Sequence, residues 1–327
     1  MKKYALYTIL LSLVILSSCS SIQTLTFDQL CPAEVNFPYQ ISNVGVVNNM
    51  PSRPEPKKNI LTLGKVEAEG KMTTETLAGY LADSKYFNQV IICDSALQSD
   101  NYTRVLTATE VDELSSMLDV DLIISFERLL LDVEKKEYTN PDWMASIPVL
   151  QVKVAPVVRL YLPGRQVPLA ELVSTDSLYF DLGYGMSEKE LIEEASRHAA
   201  SVMANKIVPY WQTVNRFYFD GGGVEMRDAG VYVREGDWAS ARNLWTQVYN
   251  RQKKGKTKFK AAYNIALSYE MTGDMEKATE WLSHASEYAS EGSQEELALK
   301  YYIEQFRKRK SEYGKLNIQM GRFGDNF

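Results

Sequence analysis

Ala229-Gly230-Val231-Tyr232-Val233-Arg234-Glu235-Gly236-Asp237-Trp238-Ala239-Ser240-Ala241-Arg242-Asn243-Leu244-Trp245 is echoed 37 residues later by Ala266-Leu267-Ser268-Tyr269-Glu270-Met271-Thr272-Gly273-Asp274-Met275-Glu276-Lys277-Ala278-Thr279-Glu280-Trp281-Leu282. Alanine, tyrosine, the Gly-Asp pair and a second alanine fall at identical intervals in both blocks, which marks a repeated helical hairpin. Ala229 and Ala266 let two antiparallel helices approach, and Tyr232 and Tyr269 fill the space between them. Gly236 and Gly273 end each first helix in a tight turn, and Ala241 and Ala278 again permit close packing.

Over residues 222–290 the pattern resembles tetratricopeptide repeats, whose period is about 34 residues. The excess length falls in the polar, basic loop 251–257, and the proline that commonly closes each repeat is absent. Two hairpins bury little surface alone, so the apolar positions Leu297, Tyr301 and Ile303 predict a capping helix over 294–309, within a terminal segment 291–327. The resemblance implies a groove lined by the first helix of each pair. On this chain its positions are Met226, Arg227, Val233 and Arg234, then Lys260, Tyr263, Asn264, Leu267, Glu270 and Met271. Such a mixture of Arg, Asn and Tyr suits a carboxylate or backbone amides of a protein or peptide partner.

Upstream, the glycine-rich stretch 216–223, with three successive glycines at 221–223, reads as a hinge. No Gly-Lys-Ser/Thr directly follows these glycines at the spacing of a phosphate loop, so the stretch lacks the chemistry of a phosphate cradle. Residues 37–215 alternate between two periods. Short apolar runs at 41–48, 89–93 and 121–132 predict strands. Helical spacing predicts helices over 72–83 and 110–118, the latter capped by Thr109. The two-residue alternation of 150–162, a Pro-Gly turn at 163–166 and a strand over 167–180 predict an antiparallel hairpin. Ser187 and Glu190 form a capping box that opens a last helix. This order gives an α/β (α+β) domain with a mixed sheet.

The chain begins with Lys2-Lys3, an apolar stretch from Tyr4 to Leu16 and small residues, the order of an export signal. Leu16-Ser17-Ser18-Cys19 looks like a bacterial lipobox. It implies removal of residues 1–18 and acylation of Cys19, with 19–36 as a lipidated tether and the membrane reached through lipid. By resemblance to lipoprotein sorting patterns, Ser20 and Ser21 lack an inner-membrane retention aspartate, which implies the outer membrane, facing the periplasm, with exposure at the cell surface as the alternative. With 36 basic and 42 acidic residues the formal charge is −6, and loss of Lys2 and Lys3 makes the mature chain more acidic. Nucleic acid is therefore not an expected partner. The run Arg307-Lys308-Arg309-Lys310 reads as a solvated helix C-terminus favoured by the helix dipole.

Catalytic motifs are missing. His198 and His284 are the only histidines. His-x-x-x-His, Cys-x-x-Cys and Gly-x-Ser-x-Gly patterns do not occur, so no cofactor, no metal and no catalytic residue is expected. Cys31 and Cys93 are expected to stay thiols, although an exported compartment permits a disulfide. Trp143, Trp211, Trp238, Trp245 and Trp281 allow an alternative in which a glycan-binding accessory stacks sugars on exposed rings, but Trp238, Trp245 and Trp281 occupy packing positions of the repeat. An enzyme with an unrecognised carboxylate site is the third reading. With the lipobox, the Val44-Gly45-Val46-Val47-Asn48-Asn49 strand and the repeated Gly-Asp pairs, the chain resembles a Bacteroidota lipoprotein family with a domain of unknown function and C-terminal tetratricopeptide helices. That resemblance implies an envelope scaffold that recruits a protein partner.

Overall fold

The computed structural model describes residues 22–51, 63–93, 105–139, 146–181 and 187–324. The leader, Cys19 and Trp143 lie outside them. The chain divides into two compact units, each discontinuous in sequence: residues 30–210 with 315–327, and residues 1–29 with 211–314.

In the first unit, β2 (Asn43–Asn48) lies parallel to both β4 (Gln89–Cys93) and β5 (Leu122–Thr139). The crossovers contain α1 (Gly70–Asp83) and α2 (Ala108–Leu118). A central parallel strand is covered on both faces, and Val44, Val46 and Val47 are accordingly buried. From β5 the sheet turns antiparallel. β6 (Ser146–Tyr161) pairs with it along almost its full length, β7 (Ala170–Val173) and β8 (Asp176–Asp181) share the far edge of β6, and β3 (Gly64–Glu67) adds to β5. The mixed sheet has the order β4-β2-β5-β6-β7.

One strand was expected over 167–180, but two form. Ser174 N–H donates to the carbonyl of Pro156 at 3.3 Å, and proline has no N–H to return, so the ladder breaks there. Helix α1 and α3 (Glu188–Ile207) pack together over one sheet face, around Leu77, Leu81, Leu191, Ala195 and Ala199. The Ser187/Glu190 capping box is present, whereas α2 is capped by Thr107 with Glu110 rather than by Thr109. On the other face α2 covers a smaller cluster of Val47, Val111, Leu114, Ile123 and Tyr161. A Cβ on Gly45 would come within 3.0 Å of Leu118, so that helix reaches the sheet only over a glycine.

The expected tether 19–36 is ordered over its described part. Residues 22–31 form β1 (Ile22–Cys31), and residues 33–36 are pinned by Gln319. The Gln319 side chain accepts from Ala33 N–H at 2.9 Å and donates to the Ala33 and Val35 carbonyls at 3.1 and 3.0 Å. Arg322 donates to the Ile41 carbonyl at 2.6 Å and stacks 4.3 Å over Tyr86.

In the second unit, β1 pairs with β9 (Tyr210–Phe219) in a two-stranded ribbon. The expected interdomain hinge at 216–223 is corrected: 216–219 belong to β9, and 220–223 join that strand to the next helix within the same unit. The repeat folds as α4 (Val224–Glu235), α5 (Trp238–Arg251), α6 (Lys256–Met271) and α7 (Met275–Ser286), each packed on the next. Gly236 and Gly273 sit at φ of +76° and +83°, the left-handed region that glycine enters at no steric cost. Asp237 and Asp274 then cap α5 and α7 by accepting from Ser240 and Lys277 N–H, both at 3.0 Å. The repeated Gly-Asp pair thus stops one helix and starts the next. The last helix, α8 (Gln294–Met320), runs well past Arg309.

Candidate functional site: the inner face and flank of the helical hairpins

The core of the helical unit is aromatic. Trp245, Phe259, Tyr263 and Tyr302 are buried, and Tyr263 contacts the Phe219 and Tyr302 rings at centroid distances of 5.0 and 4.9 Å. Burial drives the Tyr302 hydroxyl well above its ordinary pKa, with the nearby Glu270 charge adding to the shift.

The expected groove residues separate into two sets. Arg227 and Arg234 are exposed on α4. Lys260 is half-buried with Nζ 5.4 Å from the Phe219 ring centre, and Met271 is half-buried against the core. Tyr263, Asn264 and Glu270 are fully inside, as are Met226, Val233 and Leu267. An open groove along these positions is therefore corrected: the inner face of α6 is occupied by the chain's own β9 and α8. Asn264 binds the Phe219 main chain, accepting from its N–H at 2.9 Å and donating to its carbonyl at 2.6 Å. Glu270 accepts from Arg216 of β9 at 2.9 Å and from Arg309 of α8 at 2.8 Å. Both guanidiniums also lie near the Phe27 ring of β1, at 5.7 and 5.5 Å. A backbone amide is held by the asparagine, as the residue types suggested, but it belongs to this chain.

The basic run 307–310 is likewise corrected. It sits in mid-helix, where Arg309 serves the buried Glu270 and Lys310 donates to Thr279 at 3.0 Å and pairs with Glu276 at 2.9 Å. Between α7 and α8 an open cleft of 270 Å³ remains. Its apolar floor is Leu282, Ile303 and Phe306, its small polar side is Thr279, Ser283 and Ser286, and its basic rim is Arg307 and Lys310. Lys310 also borders a wider depression beside Met275 and Tyr313.

In the α/β unit, one polar cluster escaped sequence reading. Glu127 is the extra residue of a β-bulge, where the β5–β6 register shifts between Phe126 and Arg128. The bulge turns its carboxylate to the α2 face, next to the end of β2. There it accepts from Asn49 Nδ2 at 2.7 Å and from the Tyr161 hydroxyl at 3.0 Å, with Arg159 at 3.6 Å. Burial raises the Glu127 pKa, against the lowering effect of Tyr161, Arg159 and Asn49. The carboxylate has no exposed surface, and its bonds act as an internal tie between the end of β2, β5 and β6. Asn49 was legible as the end of an apolar strand, whereas a single Glu inside a run of buried residues carries no periodic signal.

His198 pairs through Nε2 with Asp176 at 2.8 Å, and His284 lies beside the Trp281 and Tyr249 rings. Trp245 is buried and Trp238 and Trp281 pack against the core, while Trp211 is exposed. Among the described residues no three His, Cys, Asp or Glu side chains converge as a metal site requires, and no helix is long and apolar enough to cross a membrane.

The model of a family described as a domain of unknown function (DUF8603) matches residues 41–219, and a second domain of unknown function (DUF6340) matches 227–308. None of the curated proteins matches. Among solved structures, a minor lipoprotein from Acinetobacter baumannii is 9% identical over 51% of this chain and 90% of its own, with a TM-score of 0.23. The hypothetical protein CT253 from Chlamydia trachomatis is 11% identical over 51% of this chain and 97% of its own, with a TM-score of 0.27.

Proposed function

For this chain, which belongs to the DUF8603 family, we propose the role of an envelope lipoprotein, anchored through acylated Cys19 in the outer membrane, that works as a non-catalytic scaffold for a protein partner. The leader and lipobox support the anchor, and the repeated hairpins of tetratricopeptide type support the scaffold. The observation that carries the partner surface is the division of labour in the helical unit. Its inner face is taken up by β9 and α8, while the cleft between α7 and α8 keeps an apolar floor under the cationic rim of Arg307 and Lys310. That combination suits a short segment bearing apolar side chains and carboxylates: the floor supplies desolvation and the rim sets the register.

The test uses the full chain expressed with its leader. Labelled palmitate checks acylation, with Cys19→Ala as the blank. Crosslinked partners are then compared between wild type, Ser286→Trp, which fills the cleft, and Arg307→Glu, which reverses its rim. Loss of the same one or two partners from both variants supports the reading. A partner set unchanged by both, in protein that remains folded and acylated, refutes the cleft.

A further inference from the structure

We propose that the end of the helical unit nearest Cys19 is a contact surface for anionic phospholipid headgroups. The proposal rests on the Cys19 anchor only for its geometry of delivery. Two side-chain bonds fix the sense of the β1–β9 ribbon. Thr26 bonds Asn215 at 2.8 Å and Thr213 bonds Asp28 at 2.7 Å, the order of an antiparallel pair. Continued to the ends of the strands, this sets Ile22 opposite Phe219. Ile22 is the third residue after Cys19, so chain geometry allows at most about 10 Å between them.

That same end carries the strongest local charge in the unit. Arg251, Lys253, Lys254, Lys256, Lys258 and Lys260 fall within ten residues. Their loop is tied to the ribbon's end: Lys260 Nζ lies 5.4 Å from the Phe219 ring centre, and a Cβ on Gly222 would meet Thr257 at 3.4 Å. Two acids face the cluster, Glu225 against Arg251 at 2.7 Å and Glu295 against Lys256 at 3.1 Å. Lys258 donates to the Gln252 carbonyl and lies 4.2 Å over Tyr249. Lys253 and Lys254 point to solvent. Glu295 also faces Lys260, which leaves Lys253, Lys254 and Lys258 without an acidic partner among the described residues. The N-terminus of α6 adds its dipole here, starting after Gly255 with no side-chain cap and no acid in its first turn, whereas at α4 the Glu225 carboxylate already takes a backbone N–H. Exposed Val224 and Ile22 supply aliphatic surface at the same end.

Cations, an uncapped helix start and isolated aliphatics held a few residues from an acyl anchor suit the headgroup layer of a bilayer, where each lysine contributes about one factor of five in affinity. Acylation by itself would fasten the protein, and the patch would fix which end lies on the membrane.

The experiment uses the mature chain with Cys19→Ser, so that no acyl group contributes, and vesicles of phosphatidylethanolamine with or without one quarter phosphatidylglycerol. The expected result is cosedimentation with the anionic vesicles only, weakened by salt. Lys253→Gln/Lys254→Gln should lower it about 25-fold, two factors of about five, and Arg234→Glu/Lys308→Glu, exposed elsewhere on the unit, should leave it nearly unchanged. Equal binding to both vesicles, absence of binding, or indifference to the lysine pair overturns the patch. Labelled palmitate on wild type is scored separately, so a missing acyl group counts against the anchor and leaves the vesicle result to stand alone.

Discussion

Asn264 holds Phe219 by both polar groups of its main chain, accepting from the N–H at 2.9 Å and donating to the carbonyl at 2.6 Å. One side chain thereby closes the end of a strand against a helix 45 residues further on. The amide is fully buried, so neither of its bonds competes with water, and the inner face of the hairpins is committed to an internal ligand.

Replacing Asn264 with alanine removes both bonds and strands a buried N–H and a buried carbonyl. At about 1–3 kcal/mol for each unsatisfied group, the loss should be about 2–6 kcal/mol. Asn264→Asp keeps the shape and the acceptor but turns the donor into a charge facing the Phe219 carbonyl, so it should fare no better. Urea unfolding followed by tryptophan fluorescence measures both, since Trp238, Trp245 and Trp281 all report on this unit. A loss below 1 kcal/mol in each would mean the clamp is redundant.

Glu270 pairs with both Arg216 and Arg309 from a position with no exposed surface. Glu270→Ala leaves a nearly buried guanidinium uncompensated and should destabilise by about 3–5 kcal/mol. Replacing all three by Leu, Met and Met should recover most of that, because the apolar isosteres need no partner. If the triple variant were as unstable as Glu270→Ala, then shape rather than charge balance would be what the cluster supplies.

How far these features could be read in advance depends on the range of their causes. Gly236 and Gly273 act within one turn, as helix stops, and so do Ser187 and Glu190 as a capping box. These were legible, as was the mixed sheet, since alternation at 150–162 and apolar runs at 41–48 are local patterns; the capping role of Asp237 and Asp274 came only with the structure. β1 was not, because its partner lies nearly 190 residues away and Ile22–Cys31 alternates only weakly. Missing β1 and β9, one reads Tyr263, Asn264 and Glu270 as the lining of an empty groove. The side-chain chemistry was judged rightly and the occupant wrongly. Glu127 was illegible for a different reason: only the bulge decides which face it turns to.

Backbone conformation alone should set the sign of two otherwise identical substitutions. Gly273 sits at φ +83° with nothing within 4 Å of an added Cβ, so Gly273→Ala meets no clash and costs only the left-handed backbone, about 1–2 kcal/mol. Gly79 lies inside α1 with equally open space around it. Gly79→Ala should therefore stabilise by about 0.5–1 kcal/mol through a stiffer unfolded chain. Thermal unfolding of the two single variants gives shifts of opposite direction, and shifts of the same direction would contradict the φ argument.

The pH dependence carried by Glu127 runs against that of an ordinary paired carboxylate. Burial raises its folded pKa above the ordinary 4.5, so between that value and the raised one the folded chain holds more proton than the unfolded chain. Stability then falls as pH rises through this window and is level on either side. Glu127→Gln keeps the size but cannot titrate. The difference in unfolding free energy, wild type minus variant, should therefore shrink or grow more negative as pH is raised from 4 through the window. Subtraction removes the opposite slopes of depressed acids such as Asp176 and Glu190. A difference that is flat with pH would show Glu127 titrating alike in both states. One that increases with pH would mean that Asn49, Tyr161 and Arg159 outweigh desolvation and hold the charged form.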